Sequence, residues 1–340
     1  MDSRSPVRTT GVRATGVRAS GARATGARAS GARASGARAY GARAYGALVG
    51  AMVIWGLSFL ATKELLPTVP VLSLLFARFA IAAALLAALG FVRGGRGRAL
   101  RVSRRDFAML AALSLLSPVG YYLFETYGVA WTQAGHVSVL IATIPIGVYM
   151  IAFARRMERV SWRRTLGILL AFGGVILLID SSSGEAGASL AGDLLVLGAV
   201  LCAAVQTILL KDALRRVTPL QLTFYQALLS LVVFAPLASI DGFSWVGRLS
   251  PTGWGQLLFL AVFCSGIAFL AMNYALVRLS VTSVAVSVNL VPVITLLAEA
   301  LLLGVAMTPA KLGGTLLVLF GVLVTQAATP SAVPTIGAGG

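Results

Sequence analysis

The chain has 340 residues, 58% of them hydrophobic and only 11% charged, with a mean hydropathy of +0.90. A soluble domain carries roughly 25% charged residues, so this composition excludes a water-facing globule. The formal charge of +17 would suit a nucleic-acid binder, but nine of the 28 basic residues fall in the first 43 positions and most others in short loops between apolar runs. That is the distribution of topogenic charge, and no nucleic-acid partner is expected.

Residues 1–45 form a low-complexity Arg/Gly/Ala-rich tail built on the pentapeptide Gly-(Val/Ala)-Arg-Ala-(Thr/Ser/Tyr), with arginines at 13, 18, 23, 28, 33, 38 and 43. A period of five advances about 140° per repeat on a helix, so the arginines wind around it and give no amphipathic face. With almost nothing to bury, the tail is expected to be disordered and cytoplasmic, with contact to anionic lipid headgroups as its functional reading.

Ten apolar runs follow, near 46–63, 70–92, 108–129, 132–154, 165–179, 190–210, 219–240, 253–276, 282–304 and 311–327. Most have the length that crosses roughly 30 Å of hydrocarbon, where backbone groups must pair within each segment and helices are required. The short links at 129–132 and 276–282 make those neighbours antiparallel. Lys and Arg in alternate loops number fifteen on the side of the N-terminus and three (Lys63, Arg248, Lys311) on the other. This bias predicts a multi-pass protein with both termini cytoplasmic, as in a bacterial inner membrane.

The chain matches itself at an offset of 147 residues: Phe107 with Trp254, Leu113 with Leu260, Tyr127 with Tyr274, Val137 with Val284, Pro145 with Pro292, Gly167 with Gly314 and Gly174 with Gly321. Pro70 faces Pro219 at an offset of 149. Residues 46–180 and 190–328 are thus read as two five-helix repeats, followed by a C-terminal tail, 329–340. An odd number of spans per unit inverts the second unit in the membrane, an arrangement typical of secondary transporters and shared by some channels.

Trp55-Gly56-Leu57-Ser58-Phe59, the Pro145 helix leading to Met157-Glu158-Arg159-Val160, the Gly167 to Gly173-Gly174-Val175-Ile176-Leu177-Leu178 stretch, and Asn289-Leu290-Val291-Pro292 leading to Thr308-Pro309 carry a further likeness. Together they resemble the EamA-type branch of the drug/metabolite transporter superfamily. The resemblance covers about residues 46–328 and implies ten helices in two inverted repeats, exporting or exchanging amino acids, other metabolites or drugs. One departure is that Glu158 supplies the family's loop acid in the first half, while its repeat partner is Val305.

Ionisable groups inside spans each cost roughly 2.5–3.5 kcal/mol at the bilayer centre and are functional candidates by default. They are Arg78, Glu125, His136 and Glu299, all placed in the half of the membrane away from the termini. Arg78 and Glu125 read either as a substrate or gating site or as a structural ion pair. His136 reads as a substrate or coupling residue or a hydrogen-bonded helix start, and Glu299 as functional or interfacial. Trp55, Tyr121, Tyr122, Gln206, Gln226, Asn273, Tyr274 and Asn289 are polar or aromatic residues within apolar spans, suited either to a substrate cavity or to joining helices. Among them, Trp55, Tyr122, Tyr274 and Asn289 join Arg78, Glu125 and His136 as candidate substrate-binding residues. Pro145 and Pro292 are paired candidate helix breaks beside a central cavity.

One His and two Cys, Cys202 and Cys264, give no metal-ligand spacing, and no GxxxxGK(S/T) phosphate loop is present. No catalytic residues, metal or other cofactor are expected. The reading is an alternating-access transporter with a small-molecule substrate and protons as a candidate coupling species. A channel, a receptor or a membrane-embedded enzyme is the alternative, and the oligomeric state stays open.

Overall fold

The computed structural model describes residues 18–94, 98–154, 162–181, 189–279, 284 and 287–327. The Met157 to Val160 motif, the loop near 182–188, residues 1–17 and the C-terminal tail lie outside the described residues. Two units are distinguished, Met1–Arg43 and Ala44–Gly340. In the first, the backbone is helical from Arg18. Ala and Arg, three of every five residues over 21–45, are strong helix formers, though each Gly opposes them by about 1 kcal/mol.

Among its described residues the second unit has helices joined by short turns and no strand. In chain order the helices are α1 (Arg18–Leu65), α2 (Val71–Gly94), α3 (Arg104–Ser114), α4 (Tyr121–Trp131), α5 (Ala134–Ile141), α6 (Ile144–Ala154) and α7 (Trp162–Ser181). They continue as α8 (Leu190–Ala213), α9 (Pro219–Asp241), α10 (Pro251–Leu258), α11 (Phe269–Leu276), α12 (Leu290–Leu302) and α13 (Pro309–Ala327). Wide π-type turns, Leu115–Gly120 and Phe259–Ala268, join α3 to α4 and α10 to α11 into single spans. Seven of the resulting rods are long and apolar enough to cross a membrane, and the shorter apolar helices Thr165–Leu177, Leu290–Leu302 and Pro309–Val324 complete the ten expected runs.

Local chemistry sets where the helices begin. Ser103 accepts from the Asp106 N–H, Ser189 from Gly192, and Ser250 from Gly253 with Pro251 next. Thr218 and Gln221 form a reciprocal capping box ahead of α9. Each satisfies backbone donors that the first turn would leave open.

The packing has a two-fold pattern. Helix α7 packs on α13 and α2 on α9, each pair joining equivalent helices of the two halves, and α5 packs on α12, the counterpart of α6. The α7–α13 contact shows the symmetry atom by atom. A Cβ added at Gly174 would lie 2.6 Å from the Val318 nitrogen and 2.7 Å from the Gly314 oxygen; one added at Gly321 would lie 2.5 Å from the Ala171 nitrogen and the Gly167 oxygen. All three pairs, 167/314, 171/318 and 174/321, are separated by 147 residues. Such a contact, in which i meets j′ and i′ meets j, is isologous. Because the later residue of each helix meets the earlier residues of the other, the helices are antiparallel. The two-fold therefore lies across the helix axes, and the halves are inverted.

The two π-type turns obey the same register: residues 115–120 plus 147 give 262–267, inside Phe259–Ala268. In the first, Ser117 departs from helical dihedrals (φ −154°, ψ 126°) ahead of Pro118, which has no N–H to give. In the second, Ser265 stands in the place of Pro118, so proline alone does not dictate the widened turn.

Candidate functional site

Each π-type turn frees polar backbone that another helix must satisfy. In the first half, the Ser117 carbonyl accepts from Gln206 Nε2 at 2.7 Å and Gln226 Nε2 at 3.1 Å. In the second half, the Cys264 carbonyl accepts from Trp55 Nε1 at 3.3 Å, and the Ser265 hydroxyl accepts from Arg78 Nε at 2.9 Å. Ser117 and Cys264 are 147 residues apart, Arg78 and Gln226 148, and Trp55 and Gln206 151. The first and second helices of each half thus hold the broken third helix of the other.

Around Arg78 this symmetry turns into a site. The side chain is 1% exposed, its guanidinium carbon 4.3 Å from the Tyr122 ring centre and 5.8 Å from that of Phe79. Tyr122 meets Phe79 and Tyr121 edge to face at 5.4 and 5.1 Å, and Phe269 links Tyr122 to Trp55. Glu125, 3% exposed, lies one helical turn beyond Tyr121 and Tyr122 on α4 and accepts from the Thr126 hydroxyl at 3.0 Å. Among the described residues no ion pair of 4 Å or less joins Arg78 to Glu125. A buried guanidinium and a buried carboxyl group beside an aromatic cluster, without direct pairing, are chemically suited to a ligand that carries both an acidic and a basic group.

The other candidate residues are dispersed. Asn289 immediately precedes α12, 9% exposed, and among the described residues neither its amide nitrogen nor its amide oxygen has a hydrogen-bond partner. Six residues on, the Thr295 hydroxyl donates to the Gly56 carbonyl at 2.8 Å, so α12 crosses α1 beside Trp55 with Asn289 about 9 Å along the axis. Tyr274 carries the Arg278 guanidinium 3.6 Å from its ring centre at the end of α11. Pro145 and Pro292 fall in the first turns of α6 and α12, just after the helix interruptions at 142–143 and 289, where a missing N–H is tolerated. His136 and Glu299 belong to a second polar cluster at the end of the bundle where α5 and α13 begin.

Sequence reasoning missed Asp193, which is 2% exposed, and took Lys63 and Lys311 for loop cations. Lys63 lies within α1 and gives hydrogen bonds to the Val129, Ala130 and Thr132 carbonyls, while Lys311 is 1% exposed. Ser117, Cys264 and Ser265 were also missed; the available signal was the Ser117-Pro118 pair in mid-span, taken together with the 147-residue register that leads to Cys264 and Ser265.

This inverted arrangement of ten apolar spans defines a multi-pass integral membrane protein. A profile of the EamA-like transporter family matches residues 42–180 and again 190–326, and the chain belongs to that family. Similar proteins include an uncharacterized transporter of Archaeoglobus fulgidus, 28% identical over 79% of this chain and 94% of its own length, and a second from the same organism, 30% identical over 72% and 83%. A protein named "Probable terminal-alkyne amino-acid exporter" from Streptantibioticus cattleyicolor is 28% identical over 83% of this chain and 93% of its own. A solved crystal structure with 20% identity superposes with a TM-score of 0.62 over 83% of this chain and 95% of the other, a likeness of fold.

Proposed function

We propose that the protein exports or exchanges small zwitterionic or aromatic metabolites, of the amino-acid class, by alternating access across a bacterial inner membrane with both termini in the cytoplasm. The observation that carries this reading is the buried Arg78 and Glu125, not ion-paired with each other among the described residues, beside the Trp55, Tyr121, Tyr122 and Phe269 aromatics. Arg78 would take a substrate carboxylate, Glu125 an ammonium or a coupling proton, and the rings the side chain; the unpartnered amide of Asn289 is a further contact. Neither charge is demanded by the repeat, since their counterparts are Gln226 and Met272. The amino-acid exporter among the relatives supports the substrate class. The cytoplasmic assignment gains from Lys63 and Lys311, which belong to helix ends and leave Arg248 as the remaining cation in the opposing loops.

The test is Glu125→Gln, which keeps shape and removes charge. Membrane abundance and thermal stability should hold while transport of radiolabelled amino acids into proteoliposomes falls severely. Transport at the unmodified rate at every pH would exclude the role, and loss of stability along with transport would make Glu125 structural.

A further inference from the structure

The second polar cluster lies at the bundle end formed by the last turns of α1, α4 and α12 and the first turns of α5, α8 and α13. Lys63 donates to the Thr132 carbonyl at 2.7 Å, closing α1 onto the end of α4. The Thr132 hydroxyl donates to Asp193 Oδ1 at 2.9 Å, and His136 Nδ1 lies 3.7 Å from the same oxygen, which fixes the start of α8 to the α4–α5 turn. Glu299 accepts from the Gly135 N–H at 2.7 Å and lies 3.8 Å from Lys311 Nζ, which itself donates to Gln133 at 2.9 Å. Thr132, His136, Asp193, Glu299 and Lys311 are each 4% exposed or less. The cluster therefore seals this end with interactions shielded from water, each joining the first half of the chain to the second or one helix end to another within a half.

The repeat does not carry these residues to the opposite end. In the 147-residue register His136, Glu299 and Lys311 correspond to Ser283, Ala152 and Arg164, and in the 149-residue register Asp193 corresponds to Ala44. Neither carboxylate has a counterpart. A buried ion pair loses most of its stability when one partner is removed, because the other is left uncompensated, so such a cluster acts as a two-state catch.

We propose that this cluster is the latch of the gate at the end of the bundle farthest from the chain termini, and that its one-sidedness makes closure at that end the resting state. An exporter loads from the cytoplasm, and a latch on the far side holds it ready to do so. The inference rests on the alternating-access reading above, but its test needs no substrate.

In a background with Cys202 and Cys264 replaced by Ala, Met272→Cys reports access to the bundle interior, since Met272 is half-buried and packs against the apolar core. A membrane-impermeant maleimide is applied from the face on which a control Thr68→Cys reacts. Protection is expected with the latch intact and with Lys311→Arg. The Asp193→Asn/Glu299→Gln pair should label about tenfold faster or more, the change for an equilibrium displaced by roughly 1.4 kcal/mol. If the double change does not fold, Glu299→Gln and Lys311→Gln are read singly, with hydrogen exchange over 131–136 and 299–312 as the second measure. Unchanged labelling and unchanged exchange in a folded variant would overturn the latch. A chain that shows the labelling shift yet transports nothing would sink the transporter reading and leave the latch standing.

Discussion

At the break in the third helix of the first half, two amides, Gln206 and Gln226, share one carbonyl; at the break in the second half, an indole and a guanidinium, Trp55 and Arg78, fill the corresponding places. Position has been kept and chemistry has not. The amide side behaves as structure, with neutral donors meeting a backbone acceptor, whereas the other side puts a full charge and an aromatic cluster in the apolar interior. A duplicated scaffold can thus carry a site on one face of its symmetry axis while the other face holds the fold.

The strongest way to break this comparison is to make the two sides alike. Arg78→Gln should reduce transport about 10- to 100-fold, the loss of a charge-assisted contact of roughly 1.5–3 kcal/mol, while the melting temperature in detergent changes little. A large drop in melting temperature would instead make Arg78 structural. At the symmetric α7–α13 contact, Gly174→Val and Gly321→Val should each destabilise by about 1–3 kcal/mol and by similar amounts, since both force a side chain into backbone. Unequal unfolding free energies would mean that the two halves are not equivalent there. On the amide side, Gln206→Leu or Gln226→Leu should cost about 0.5–1.5 kcal/mol alone. Both together should exceed the sum, because the Ser117 carbonyl is left without a partner. Initial transport rates per folded molecule should stay close to normal. Smallest of all is the expected effect of deleting residues 2–40: normal abundance and transport, since the family match begins at residue 42.

Hydropathy and loop charge made the ten spans legible, because bilayer thickness sets a length that can be counted. The repeat register was legible through matched prolines, glycines and tyrosines, and the structure converted Gly167, Gly174, Gly314 and Gly321 from coincidences into one contact. Burial was not legible. Lys63 and Lys311 sit where hydropathy ends, and sequence gives the charge of such residues without saying whether they turn toward water or toward a carboxylate. Asp193 went unnoticed for a related reason: an acid in a helix's first turn is ordinary, and only the fold brings Thr132 and His136 to it. The second π-type turn had no proline to announce it, and Arg78 could be named as a candidate without Ser265 being recognisable as its acceptor.

The glycine contact between α7 and α13 has a mechanical meaning. Its residues, 167–174 and 314–321, are centred within about one residue of the middle of each helix, and no side chain intervenes that could let one backbone slide along the other. Two rods touching at mid-height can tilt about that point far more readily than they can shear. The contact is then a fulcrum: a tilt that parts the halves at one end brings them together at the other by an equal amount, so the two mouths of the bundle are opposed by leverage before any side chain acts as a lock.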